Sequence, residues 1–293
     1  MRAREPDRSG FAEHDGVRIA FEVFGEGEPT ILFMPNAPII HSLQWKAQVP
    51  YFARHARVVT YDGRGNGRSD RPTTVGAYRD EVLLADAFAV MDASETDRAV
   101  LVALCGSVTR ACLMAATGPE RVLGIVAIAP GIDLAPEPEA EFDFESTPDT
   151  DEGWAKCTRQ YWLRDYPGWS RFWAEQLFPE PHSTKQIEDA TAWQVDTTAE
   201  INLLREEAYG DLVGSIEDAE ALLARVTCPL LIVAADLDAC QGTAPAERMA
   251  ELTGASLVRF EGSGHVPPAR HPVEVNLLIR DFVRTLAPAE VVV

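Results

Sequence analysis

Short apolar runs punctuate the chain at regular intervals. Residues 16–24 (GVRIAFEVF) alternate apolar and polar, the period of a strand with one face in water. Gly25-Glu26-Gly27-Glu28-Pro29 follows as a turn. Continuous runs then recur at 30–34 (TILFM), 56–61 (ARVVTY), 99–104 (AVLVAL), 122–129 (VLGIVAIA), 230–234 (LLIVA) and 256–260 (SLVRF). Unbroken Val, Ile and Leu of this length suit strands covered on both faces, where no side chain has to meet water. Helix-length segments such as 79–94 and 110–117 separate the runs. Strand and helix in alternation predict a mostly parallel α/β sheet with helices on both faces.

The alternation lapses at about residue 132 and resumes at about 226. Residues 133–152 hold nine acids, no base and several prolines, the composition of a loop. Residues 153–225 read as helical and carry Trp154, Trp162, Trp169, Trp173 and Trp193; only Trp45 lies elsewhere. The chain therefore predicts a core made of 1–132 and 226–293 and an inserted helical cap, acidic and rich in tryptophan, over 133–225.

Composition narrows the classes of function. A chain of 293 residues with 46% hydrophobic positions can bury a substantial core. A net charge of −20 argues against nucleic acid or an anionic membrane as the main partner, since phosphates call for clustered Lys and Arg. The charge is uneven: 133–225 hold 22 acids against 7 bases, the other residues 24 against 19. A solvated outer surface is the plain reading; the sharper one is a cap that disfavours anionic substrates. The charged N-terminal segment lacks the apolar stretch of a signal peptide, and no run approaches the ~18 apolar residues of a membrane span, so a cytoplasmic location is expected. Cys105, Cys112, Cys157, Cys228 and Cys240 are odd in number and widely spaced, which fits reduced thiols. Neither they nor the scattered histidines have metal-site spacing, and no metal or cofactor is implied. The expected partner is a small, neutral, apolar substrate; a homodimer is left open.

In a parallel sheet, chemistry gathers beyond the carboxyl ends of the strands. Cys105-Gly106-Ser107 follows AVLVAL, Asp236-Leu237-Asp238 follows LLIVAA, and Gly262-Ser263-Gly264-His265 follows SLVRFE. Nucleophile, acid and histidine thus occur in chain order, each just past a strand. Cys105 ends its apolar run and opens a helix, whose positive end favours a thiolate; packing as an inert small residue is the alternative. Ser107 is the rival nucleophile, Asp236 the rival acid, and His271, beside Pro272, the rival histidine. The Gly63, Gly65 and Gly67 cluster lacks the remainder of a phosphate loop.

These segments resemble the α/β-hydrolase family over nearly the whole chain. YDGRGNGRSDRP (residues 61–72) is similar to the family's segment after strand four, and Pro119-Glu120-Arg121-Val122 and GSGHVPP (residues 262–268) are similarly characteristic. The family's nucleophile elbow usually reads G-x-S-x-G; here Ala103-Leu104-Cys105-Gly106-Ser107 keeps small neighbours but puts cysteine at the centre, with the family's spacing to Pro119. The resemblance implies a triad of Cys105, His265 and Asp238, with an oxyanion hole of Gly106 and Ala37 N–H groups; some relatives place the acid after the strand before the cap, which makes Asp133 a further rival. The usual His-Gly of the strand-three loop is replaced by Pro35-Asn36-Ala37, and a later elbow glycine by Val108. Asn36, His41, Trp162 and Trp173 are the candidate substrate-binding residues, although packing is the default for His41 and for the tryptophans. The implied reaction is hydrolysis of an ester, lactone or thioester through an acyl-enzyme. Acyl transfer through the same intermediate, lyase or isomerase chemistry, and a silent binding protein are the alternatives.

Overall fold

The apolar runs meet side by side. The structure, a computed structural model, describes residues 4–36, 38–136 and 141–286. Strands β1 (Arg8–His14) and β2 (Val17–Phe24) form a hairpin, and β3 (Thr30–Phe33) follows. The short helix α1 (Val49–Phe52) leads to β4 (Val58–Tyr61), and α2 (Asp80–Ala93) to β5 (Ala99–Leu104). Helix α3 (Ser107–Thr117) then leads to β6 (Val122–Ile128). Among the described residues five α-helices come before the next strand: α4 (Arg159–Arg164), α5 (Tyr166–Leu177), α6 (Thr184–Gln194), α7 (Ala199–Ala208) and α8 (Ile216–Leu223). The chain closes with β7 (Leu230–Ala235), α9 (Ala244–Thr253), β8 (Ser256–Phe260), α10 (Pro267–Arg270) and α11 (Pro272–Leu286).

The eight strands make one sheet in the order β1-β2-β4-β3-β5-β6-β7-β8. Both pairings of β2 are antiparallel and the rest are parallel. The centre shows why its strands read as unbroken apolar runs. In β5, Ala99, Leu101 and Ala103 pack into the cluster on one face, and Val100, Val102 and Leu104 into the cluster on the other. Each buried Val or Leu contributes about 1.5–3 kcal/mol relative to exposure, so a polar residue anywhere in this strand would be costly. At the edge, β1 buries only Ala12 among its seven residues. It escapes the hydrophobic pattern because it is set by pairing with β2, from Arg8 opposite Val23 to His14 opposite Val17.

Two element boundaries depart from expectation. Helix α3 begins at Ser107, three residues before the predicted start at 110, because the strand turns straight into the helix through Cys105 and Gly106. Helix α8 lies within 133–225 by sequence, yet Ala219, Leu222 and Leu223 join the sheet-side cluster that includes Val108, Ala111 and Met249. Helices α4, α5 and α7 share an aromatic cluster in which Tyr161, Trp162, Tyr166 and Trp169 are buried, whereas Ala174 and Leu177 of α5 and Ala190 of α6 join the cluster on the other face of the sheet.

Candidate active site

The strained turn after β5 carries Cys105. Its φ of +56° is the left-handed region, which costs a residue with a Cβ about 1–3 kcal/mol. Three backbone hydrogen bonds hold it there: Cys105 N–H donates to Ile128 O (3.0 Å), and Cys105 O accepts from Val108 N–H (2.9 Å) and Gly131 N–H (3.1 Å). Gly131 has to be glycine, since a Cβ there would lie 2.7 Å from Gly106 N and 2.8 Å from Cys105 C. The turn delivers the thiol to the N-terminus of α3, whose free N–H groups carry partial positive charge.

His265 follows β8 and is buried, 3% exposed. Its Nδ1 pairs with Asp238 Oδ2 at 2.8 Å, which leaves Nε2 to exchange protons with the site. The other carboxylate oxygen, Asp238 Oδ1, accepts from Cys240 N–H (2.8 Å) and Gln241 N–H (3.0 Å). Burial pushes the Asp238 carboxyl up, but His265 and those two N–H groups outweigh it and hold the carboxyl below its usual range. Burial pushes His265 down, and the charge and hydrogen bond of Asp238, with the Cys105 thiolate, lift it well above an ordinary imidazole. Burial likewise raises the Cys105 thiol, but the His265 charge and the Gly106 N–H more than reverse it and leave the thiol below its usual value. The contrast with the other cysteines is sharp. Burial lifts Cys112 and Cys240 to about 12 and Cys157 and Cys228 to about 11.

The rivals have other partners. Ser107 is fully buried, and its Oγ turns back to donate to Leu104 O (2.7 Å) and accept from Leu104 N–H (2.9 Å). Asp236 accepts from Gly262 N–H at 2.7 Å, Asp133 from Tyr209 Oη at 3.2 Å, and His271 lies 3.7 Å from Glu274. The Cys240 thiol, the His265 ring and the Asp238 carboxylate present donor atoms within 4.8 Å of one another. The three are a sulfur, nitrogen and oxygen set, but the Asp238 oxygens are already committed to His265 and to backbone N–H groups.

Cys105 and His265 open onto one pocket of about 580 Å3 of atom-free space, its mouth included. Asn36, Trp173, Trp193, Leu177 and Phe178 also line it. Of the residues singled out by sequence, the structure thus brings together Cys105, His265, Asp238, Gly106, Asn36 and Trp173. Asn36 Oδ1 would lie 3.2 Å from a Cβ at Gly106, so the strand-three loop borders the elbow. Ala37 lies outside the described residues. His41 and Trp162 are not on the pocket wall. His41 is buried and pairs with Asp196 at 3.1 Å, while Trp162 packs on Trp169 with ring centres 4.3 Å apart.

Trp193 was singled out only as one of five aromatics, yet it reaches the wall, with Lys46 over its ring at 5.3 Å. Gln241, whose Nε2 lies 3.8 Å from Cys105 Sγ, and Glu180, whose Oε1 accepts from Gly264 N–H at 2.7 Å, carried no sequence signal. Their roles arise from contacts between segments 136 and 84 residues apart. Gly131 had a signal that went unused: a glycine just past a strand, at the level of the elbow.

Among the described residues no helix is long and apolar enough to cross a membrane. Over residues 39–276 the chain matches the family model described as the alpha/beta hydrolase family. It is 45% identical over 67 residues to a probable oxidoreductase of Mycobacterium tuberculosis, a stretch that covers 22% of this chain and 11% of that protein. A solved structure described as Est816, an N-acyl homoserine lactone degrading enzyme, is 25% identical, with a TM-score of 0.74 over 93% of this chain and all of that one. A putative aryl esterase of Burkholderia cenocepacia shares 21% identity and superposes with a TM-score of 0.78 over 95% and 99% of the two chains. With the family model spanning most of the chain and an eight-stranded, mostly parallel sheet beneath it, the chain belongs to the alpha/beta hydrolase family.

Proposed function

We propose that the protein hydrolyses an ester, lactone or thioester of a small, neutral, apolar molecule, with Cys105 as nucleophile, His265 as acid and base, and Asp238 as its orienting anion. The observation that carries this is the placement of one thiol, held below its usual pKa, on a left-handed strand-to-helix turn beside a buried His–Asp pair. The Cys105 thiolate attacks the carbonyl carbon and forms a C–S bond. The carbonyl oxygen takes the negative charge and is met by the Gly106 N–H at the start of α3. The tetrahedral intermediate collapses as the C–O or C–S bond to the leaving group breaks, and the His265 imidazolium gives that group its proton. Neutral His265 then takes a proton from water, the hydroxide attacks the acyl-enzyme carbonyl, and the thiolate leaves as the imidazolium re-forms. Asp238 remains ionised throughout and stabilises that cation.

The pocket supports the substrate class. Beside Cys105 and His265 its wall is made of Ile, Leu, Val, Phe, Trp and Ala side chains with Asn36 and Gln44, and among the described residues no Lys or Arg lines it to meet a carboxylate. The likeness to a lactone-degrading enzyme supports including lactones among the candidates. In this reading residues 133–225 supply a cap, with Trp173, Leu177, Phe178, Ala190 and Trp193 as its contribution to the wall. The test is turnover of a panel of neutral aryl esters, lactones and acyl thioesters. The Cys105→Ala variant is expected to lose at least about a thousandfold in kcat/KM on whichever substrate responds. Full activity in that variant would rule out Cys105 as nucleophile.

A further inference from the structure

The histidine loop does not stand on the sheet alone. On one side of His265, Gly264 N–H donates to Glu180 Oε1 at 2.7 Å, and Ser263 Oγ lies 3.4 Å from the same oxygen. On the other side, Arg270 donates to Pro181 O (3.1 Å) and His182 O (3.4 Å). One turn, 180–182, on the stretch between α5 and α6, is therefore fastened to the chain both before and after His265. The approach is close enough to fix a residue type: a Cβ on Gly264 would run into Pro179 Cδ and lie 2.7 Å from Leu177 O. Glu180 itself is 7% exposed.

A carboxylate at that depth is unfavourable unless its interactions offset the lost hydration. Glu180 Oε1 has the Gly264 N–H, and Oε2 has no hydrogen-bond partner among the described residues. A mere packing position would be filled more cheaply by an apolar residue. What the side chain secures is an acceptor for one N–H, the one immediately before His265.

We propose that Glu180 is a positioning residue for the triad: it holds the Gly264–His265 backbone so that the imidazole stays between Asp238 and Cys105, and it makes the active arrangement depend on the docked helical segment. This rests on the assignment of Cys105 and His265 above. Glu180 touches neither substrate nor reacting atoms, so its effect is on geometry. Because Leu177 and Phe178 line the pocket and Glu180 follows after Pro179, the same short stretch shapes the substrate wall and fixes the histidine.

The test reads the triad without a substrate. The rate of Cys105 alkylation by iodoacetamide is followed against pH by peptide mapping, in wild type, Glu180→Ala, Glu180→Gln and Gly264→Ala, with thermal unfolding of each. In wild type, Cys105 should react on a limb well below the usual thiol pKa of about 8.5. In Glu180→Ala that limb should move up and the rate at pH 7 fall about tenfold, as a loosened imidazole ceases to hold the thiolate. Glu180→Gln keeps an acceptor for the Gly264 N–H and should stay within about threefold of wild type. Gly264→Ala should reproduce the Glu180→Ala profile by steric means, which keeps the test open should Glu180→Ala not fold. A wild-type limb that is unchanged in folded Glu180→Ala or folded Gly264→Ala overturns the positioning role alone. The absence of any low-pH limb in wild type overturns the Cys105 assignment, and this inference with it.

Discussion

The loops at the carboxyl edge of the sheet and the helical stretch between β6 and β7 meet at one pocket, but they are held by different means. Each chemical group on the sheet side sits one or a few residues past a strand: Cys105 after β5, Asp238 after β7, His265 after β8. Their positions follow from a rigid ladder of parallel strands. The helical side has no ladder. It is organised by rings, with Trp162 on Trp169, Trp154 on Phe172, and Trp169 stacked on Trp173 at 6.2 Å. The sheet edge therefore sets the chemistry, and the aromatic packing sets the shape that chemistry sees. Mutations on the two sides should differ in kind, in turnover on one and in substrate preference on the other.

The largest expected effect is on the sheet side. His265→Ala and Asp238→Asn should each lower kcat/KM by about 10² to 10⁴-fold and slow Cys105 alkylation near pH 6. A second signature is in stability against pH. Asp238 is held below its ordinary value, so its contribution is complete above about pH 3.9 and is lost as pH falls through the lowered folded value. His265 is held above its own, so its contribution is complete below about pH 6.5 and fades as pH rises through the raised folded value. Unfolding free energy measured across pH should therefore fall off at both ends in wild type. Asp238→Asn should abolish most of the dependence tied to this pair.

A middle-sized effect separates wall from packing on the helical side. Trp193→Ala opens the pocket wall and should raise KM for long acyl groups by about ten- to a hundredfold, while unfolding is little changed. Trp162→Ala empties a buried ring site and should cost about 3–5 kcal/mol of stability, with KM per folded enzyme nearly unchanged. Equal effects of the two on KM would erase the distinction between wall and packing.

The degree to which each side could be read from sequence follows the same division. Strands β3 to β7 were visible as apolar runs because burial on both faces leaves almost no polar positions, while β2 was visible by its alternation and β8, at the sheet edge with only Phe260 buried, by its Leu257, Val258 and Phe260. The edge strand β1, held by pairing rather than burial, was not visible. Strand ends order the candidates for Cys105, Asp238 and His265 along the chain, and the family resemblance chose among them; the structure brings the three side chains to one place. His41 and Trp162 were singled out by nearness in sequence or by residue type, which does not say which way a ring faces. Trp193 and Glu180 depend on how helices dock across long stretches of chain, and no local pattern records that.

The smallest expected effect concerns charge. The acidic surplus lies mainly in 133–225, so matched neutral and anionic esters should differ by only a few-fold in kcat/KM, and added salt should shrink the gap. Equal turnover insensitive to salt would leave that surplus as ordinary solvated surface.

The most direct measurement of the central claim is the intact mass of the protein, with peptide mapping, after exposure to activated esters and thioesters and an acid quench. The account predicts one acyl group on Cys105 in wild type that decays as product forms, with any adduct in Cys105→Ser arising far more slowly and sitting on residue 105. An adduct on Ser107 or another side chain, or steady turnover with no adduct on any residue under single-turnover conditions, would contradict it.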